Sequence, residues 1–165
     1  MRPSLISSKE FWDTSHIYNP ALTDEVLRLG EKSLGVKLPV ELLDLLRIQN
    51  GGYTKGFVFP TSVPTSWAAN HIPFDELGGI NPQAEPGALF CLTKSTYVAG
   101  EFELPVGQII LGGDGHYFVT LDYRDSDVPS VAWIDTECGQ DIQLADTFHE
   151  FLSKLVSVDE FEDKL

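Results

Sequence analysis

The stretch from Val106 to Glu137, VGQIILGGDGHYFVTLDYRDSDVPSVAWIDTE, constrains the fold more than any other part of the chain. It holds three apolar runs, Val106–Leu111, Tyr117–Tyr123 and Val131–Ile134, each rich in β-branched and aromatic residues. Gly112-Gly113-Asp114-Gly115 separates the first two. Asp-Gly is a favoured type I′ hairpin pair because its two positions require positive φ. Arg124-Asp125-Ser126-Asp127-Val128-Pro129 separates the second run from the third, and its proline cannot donate to a ladder. The pattern predicts a three-stranded antiparallel meander.

Alternation sorts the middle strand into two faces. Tyr117, Val119, Leu121 and Tyr123 form one, which is core. His116, Phe118, Thr120 and Asp122 form the other, which is mixed. A mixed face predicts a sheet only partly covered by helices, with surface left over for binding.

Helix signals surround this meander. Thr23 is the expected N-cap of a helix with Asp24 and Glu25 in its first turn and Gly35 just past its end. Val26, Leu29 and Leu34 would be its buried stripe. Leu38-Pro39 opens a second helix, with Pro39 at the first helical position. Leu42, Leu45 and Leu46 recur at helical spacing there, Leu43 and Ile48 widen the stripe, and Asn50-Gly51-Gly52 stops it. Phe11, Trp12 and Tyr18 would tie down an N-terminal arm, residues 1–20, by aromatic burial. Lys55–Pro60 and Trp67–Ile72 are short strand candidates in a proline-rich region, and Thr93–Phe102 favours helix over strand. Gly139 starts a turn and Ile142-Gln143 would add a brief edge strand. Asp146 is expected to cap a last helix that buries Phe148, Phe151, Leu152 and Leu155. The acidic tail, residues 156–165, is expected to fray.

A chain of 165 residues buries roughly 70% of its unfolded surface and needs no staple, so a single domain over 1–165 is expected. Cys91 and Cys138 form no CxxC and are expected to be reduced core thiols. The start lacks a signal-peptide run and no segment has 18 consecutive apolar residues, which predicts a cytoplasmic protein. Charge says more. The net charge is −14, yet residues 1–60 hold seven basic and seven acidic side chains. Residues 61–165 hold four basic ones (Lys94, Arg124, Lys154, Lys164) against eighteen acidic. Nucleic acid and anionic membranes would be repelled by such a surface, whereas a basic protein partner would be attracted.

Catalytic patterns are absent from the sequence. There is no GxSxG, HExxH, CxxC or EF-hand loop, and the glycine pairs at 51–52, 78–79 and 112–113 fit neither a P-loop nor a dinucleotide fingerprint. The four histidines show no ligand spacing. Asp114 and His116 straddle the hairpin tip and are the one acid–base candidate, although turn chemistry explains both. Trp67 and Trp133 could stack on a sugar or base but are read as core. No catalytic, cofactor-binding or metal-ligating residue is assigned, and no cofactor is expected.

Leu34-Gly35-Val36-Lys37-Leu38-Pro39, then Leu42 to Leu46 and Gln49-Asn50-Gly51-Gly52, resembles the LG-x-x-LP…NGG pattern of the SUKH superfamily. The likeness continues through Gly113-Asp114-Gly115-His116, Leu121-Asp122-Tyr123-Arg124 and Leu144-Ala145-Asp146-Thr147-Phe148-His149-Glu150-Phe151-Leu152, in the family's order, from about Phe11 to Leu155. The family comprises immunity proteins of bacterial polymorphic toxin systems, with fungal cell-wall regulators as relatives. The resemblance implies an α+β fold, a twisted, mainly antiparallel sheet flanked here by N-terminal helices and a C-terminal helix. It implies a binding protein that neutralises a partner toxin, often a nuclease, and it brings no catalytic residues. The alternative is an intracellular regulatory scaffold of the cell-wall-regulator type, whose members carry long flanking disordered regions not seen here. An enzyme using Asp114 and His116 comes third. If the partner is a basic toxin, the expected contacts are the acids of the meander and its loops: Asp114, Asp122, Asp125, Asp127, Asp135 and Glu137.

Overall fold

A computed structural model describes residues 8–163, apart from Gly87 and Leu89. The elements are α1 (Ser8–Phe11), α2 (Asp24–Leu34), α3 (Val40–Ile48), β1 (Gly52–Pro60), β2 (His71–Leu77), a 3-10 turn (Leu92–Lys94) running into α4 (Ser95–Glu101), β3 (Gln108–Gly113), β4 (Phe118–Asp122), β5 (Ser130–Asp135), β6 (Gln140–Ala145), α5 (Phe148–Lys154), β7 (Val156–Ser157) and α6 (Val158–Asp163). The class is α+β as expected, with antiparallel strand pairing, but the strands divide into two sheets, β3-β4-β5-β6 and β2-β1-β7. The sheets meet where the Gly78 N–H donates to the Leu111 carbonyl at 2.8 Å.

The meander forms as expected, with Val119 opposite Trp133 and Leu121 opposite Val131, and all four are buried in the core. The edge strand foreseen at Ile142-Gln143 extends over six residues as β6. The hairpin tip differs from expectation. Gly113 pairs with Phe118, so Asp114–Tyr117 is a four-residue connection. Gly115 has φ 94°, but Asp114 is not among the described non-glycine residues with positive φ. Its carboxylate instead accepts the His116 and Tyr117 N–H groups at 2.9 and 3.2 Å, an Asx-type turn in place of type I′.

The second sheet explains the proline-rich region. β2 starts at His71, contains Pro73 and lies at the edge of its sheet, where a missing N–H breaks no ladder. Trp67 lies outside it, half exposed. β1 runs from Gly52 rather than Lys55 and bulges between Tyr53 and Phe57, with Gly56 at φ 93°. Its far edge pairs with β7, so residues 156–163 form a strand and a helix, and Phe161 packs against His71. Residues 1–7 of the arm and 164–165 of the tail lie outside the described residues.

Helix α2 is capped by Thr23, which accepts the Val26 N–H, and by Gly35 at φ 74°. Leu29, expected inside, is exposed, and Gly30 is buried so close against Ile80 that a Cβ would clash with it. In α3 the three leucines are buried while Ile48 is exposed, and Pro39 is the N-cap rather than the first helical residue. Thr147, not Asp146, caps α5: its hydroxyl accepts the Glu150 N–H, and the Glu150 carboxylate accepts the Asp146 N–H. Phe11 and Trp12 are buried as expected, with the Trp12 Nε1–H donated to the Leu45 carbonyl, whereas Tyr18 is half exposed. Cys91 is half-buried and Cys138 exposed, so neither is a core thiol.

Candidate partner-binding surface

Helix α4 changes what the sheet can offer. Phe102 packs on Phe118, the Ser95 hydroxyl accepts the Ile110 N–H, and Thr120 donates to the Gln108 amide oxygen. Phe118 and Thr120 are buried. The face expected to remain partly free is therefore covered, and exposed polar groups collect at the two ends of the meander.

The six acids expected to bind divide between those ends. Asp122, Asp125 and Asp127 lie where β4 turns into β5, while Asp114, Asp135 and Glu137 lie at the opposite end. The five residues of β4 hold the two groups about 15 Å apart. Asp122 is committed internally: Arg124 grips it with Nε and Nη2, grips Asp141 with Nη1, and Gln108 donates to it as well. Burial pushes the Asp122 carboxyl up, but the Arg124 bonds outweigh it and hold the pKa below the usual range. The same partners raise the Arg124 guanidinium, and its hydrogen bond to Asp141 is the largest cause. Asp125 and Asp127 are exposed.

At the tip end Asp135 is 3% exposed and accepts from the Ser66 hydroxyl at 2.6 Å and the Cys138 N–H at 3.0 Å. Burial raises its carboxyl, and those two bonds bring it below the ordinary value. Asp114 and Glu137 are exposed. His116 Nδ1 lies 3.2 Å from Glu137, whose hydrogen bond and charge raise the imidazole above its usual pKa, aided by Asp114 and Asp135. The Asp114 carboxylate accepts the backbone N–H groups of His116 and Tyr117, while the His116 imidazole faces Glu137, so the two side chains do not pair with each other.

Two further acids lie beside this tip that the sequence reading did not single out. Asp75 and Glu76 line a cleft of about 310 Å³ with Tyr53, Phe74, Asp114 and Tyr117. Burial raises both carboxyls, and Asp75 and Asp114 add to the rise at Glu76. Burial, reinforced by the three acids, also raises the Tyr117 phenol. Tyr117 stacks on buried Trp133 at 4.4 Å and meets half-exposed Trp67 edge-on at 5.6 Å. Tyr53 continues the aromatic surface to Phe90 and Tyr18. Asp75-Glu76 following HIPF was a signal in the sequence, hidden by the proline.

Among the described residues no Lys or Arg pairs with Asp75, Glu76, Asp114 or Glu137. No group of three His, Cys, Asp or Glu residues there could hold a metal ion, and no buried side-chain polar atom lacks a partner. None of the described helices is long and apolar enough to cross a membrane.

The comparisons bear on this surface through the fold that carries it. No curated protein and no solved structure matches the chain. A family model does match, over residues 21–154, spanning α2 through α5 and including both ends of the meander. With that much of the chain matched and the elements in the order the motifs foretold, this protein belongs to the SMI1 / KNR4 family (SUKH-1).

Proposed function

We propose that the chain is a non-catalytic immunity protein that binds and neutralises a basic toxin domain, a nuclease being the class whose own surface must be basic. Members of the family bind protein partners. The observation that carries the reading is the tip end of the meander. Among the described residues Asp75, Glu76, Asp114 and Glu137 pair with no lysine or arginine, and the first three line a cleft with half-exposed Tyr53 and with Tyr117, against which half-exposed Trp67 packs. Unneutralised acids draw a cationic partner in, and aromatic side chains at the centre of a contact supply most of its binding energy. Asp125 and Asp127 are a second exposed set at the far end, while Asp122 and Asp135 support the contact from inside the fold.

The test is neutralisation. A growth-inhibiting domain encoded beside this chain should lose its toxicity on co-expression and co-elute with the protein as a stoichiometric complex. A toxic neighbour that is neither bound nor neutralised would overturn the reading.

A further inference from the structure

Three of the four sheet edges are closed or blunted. Along β3 the Ile110 N–H donates to the Ser95 hydroxyl, the Leu111 carbonyl accepts the Gly78 N–H, and the Glu76 carboxylate holds the Gly113 N–H. β2 carries Pro73, and β7 is two residues long. Such devices keep a sheet edge from recruiting another strand. β6 is less protected. It ends the four-stranded sheet, and among the described residues no backbone N–H or carbonyl of Gln140–Ala145 bonds to backbone on the side away from β5. The strand holds no proline, lysine or arginine. Its one irregularity is a bulge that sets Leu144 out of register, which leaves Gln140–Gln143 as a straight free run.

Charge is also cancelled along this edge. Residues 61–165 hold only four cations, and two of them stand here. Arg124 grips Asp141, the one charged residue of β6, at 2.7 and 2.9 Å. Lys154 pairs with Glu150 at 2.8 Å and lines a cleft beside Ile142, Gln143 and Leu144. The Gln143 amide donates to Asp146 at 2.7 Å. Two copies of a chain with net charge −14 repel each other wherever their acids are unmatched, and approach most easily where the acids are already paired. We propose that β6 pairs with β6 of a second copy, antiparallel about a two-fold axis, joining two four-stranded sheets into one continuous sheet. Facing residues of an antiparallel pair point to the same side of the sheet, so the axis passes beside a residue that faces its own copy. Within the straight run that residue is Asp141 or Ile142. Centring on Asp141 would set two carboxylates against each other, which is unfavourable. Centring on Ile142 sets Asp141 opposite the Gln143 amide of the other copy. The cleft beside Ile142, about 200 Å³ and walled by Phe59, Pro60 and Val63, leaves room for the second isoleucine.

Sedimentation equilibrium of the purified protein, at concentrations up to about 1 mM, tests this without any toxin. A monomer–dimer equilibrium should appear and should tighten as salt rises, because screening weakens the repulsion between two acidic copies. A contact steered by opposite charge would weaken instead. Gln143→Glu places a carboxylate opposite each Asp141 of the pair and should weaken dimerisation about tenfold, with the thermal midpoint little changed. Ile142→Cys in a Cys138→Ser background should form a disulfide-linked dimer under mild oxidation, since the two residues on the axis face each other. Gln143→Cys in the same background should crosslink less. A protein that stays monomeric at about 1 mM in high salt would overturn the proposal. So would a dimer indifferent to Gln143→Glu, or crosslinking at position 143 as efficient as at 142. Movement of the β6 amides in NMR spectra only on addition of a toxin domain would assign the edge to a strand of that partner and overturn it too.

Discussion

At the scale of single residues, hydrogen-bond geometry decides matters that residue type leaves open. Thr23 and Gly35 were legible because each is a favoured residue for its cap and frames the apolar stripe between them. Asp146 and Thr147 are both good N-caps in adjacent positions, and only the bond from the Glu150 N–H to the Thr147 hydroxyl separates them. The same holds at the hairpin, where Asp-Gly signals a turn but not which turn. Gly115 sits at φ 94°, so Gly115→Val should destabilise by about 1–3 kcal/mol through backbone strain. Equal denaturation midpoints for variant and wild type would refute the turn geometry. Beside it, Glu137 raises the His116 pKa through hydrogen bond and charge. A folded-state imidazole pKa above its unfolded value gives stability that is complete below the unfolded pKa and is lost as pH rises through the folded one. Glu137→Gln should therefore lower the His116 midpoint in an NMR titration and remove that part of the pH dependence above about pH 6.5. An unchanged midpoint would show that the pair does not form in solution.

At the scale of elements, legibility followed periodicity. The meander, α2 and α3 carry unbroken patterns and were located to within two or three residues. β2 escaped because Pro73 reads as a breaker, and only its edge position makes the proline harmless. The extent of β1 escaped because its bulge at Gly56 breaks the alternation. α6 escaped because a short acidic segment has no stripe of its own and gains its place by packing on β1. One element-level link has a pH signature. Asp135 ties the β5–β6 turn to the loop at Ser66. Its folded pKa lies below the ordinary carboxylate value despite the opposing effect of burial. A lowered folded pKa gives stability that is present above the unfolded pKa, near 3.9, and lost as pH falls through the folded value. Asp135→Asn should therefore cost stability at neutral pH, and the gap in urea midpoint from wild type should narrow below about pH 4. A gap that stays constant with pH would mean the carboxylate's charge contributes nothing there.

At the scale of the whole molecule, the chain order told where the acid lies but not how it is grouped. Neighbours along a meander are sent to opposite ends by each strand, so Asp127 and Glu137 are separated by the length of β5 although they are ten positions apart. The uneven charge was legible from counting; the acid cleft was not, because Asp75 and Asp114 come from different sheets. This grouping allows the two ends to be tested against each other. Complementary charge acts mainly on the association rate, and its reach shrinks as the Debye length falls to roughly 8 Å near 0.15 M salt. With the toxin domain in stopped-flow association at low and near-physiological salt, Asp114→Asn with Glu137→Gln should slow binding and flatten its salt dependence. Asp125→Asn with Asp127→Asn, at the far end, should have a smaller effect, and Glu41→Gln on α3 the least. Thermal midpoints should change little for the loop acids, which are exposed. If Asp125 and Asp127 prove dominant, docking takes place at the β4–β5 end, beside the Arg124 clamp. If Glu41 alone slows association, the contact lies on the helical side and the acid at the tip serves solubility.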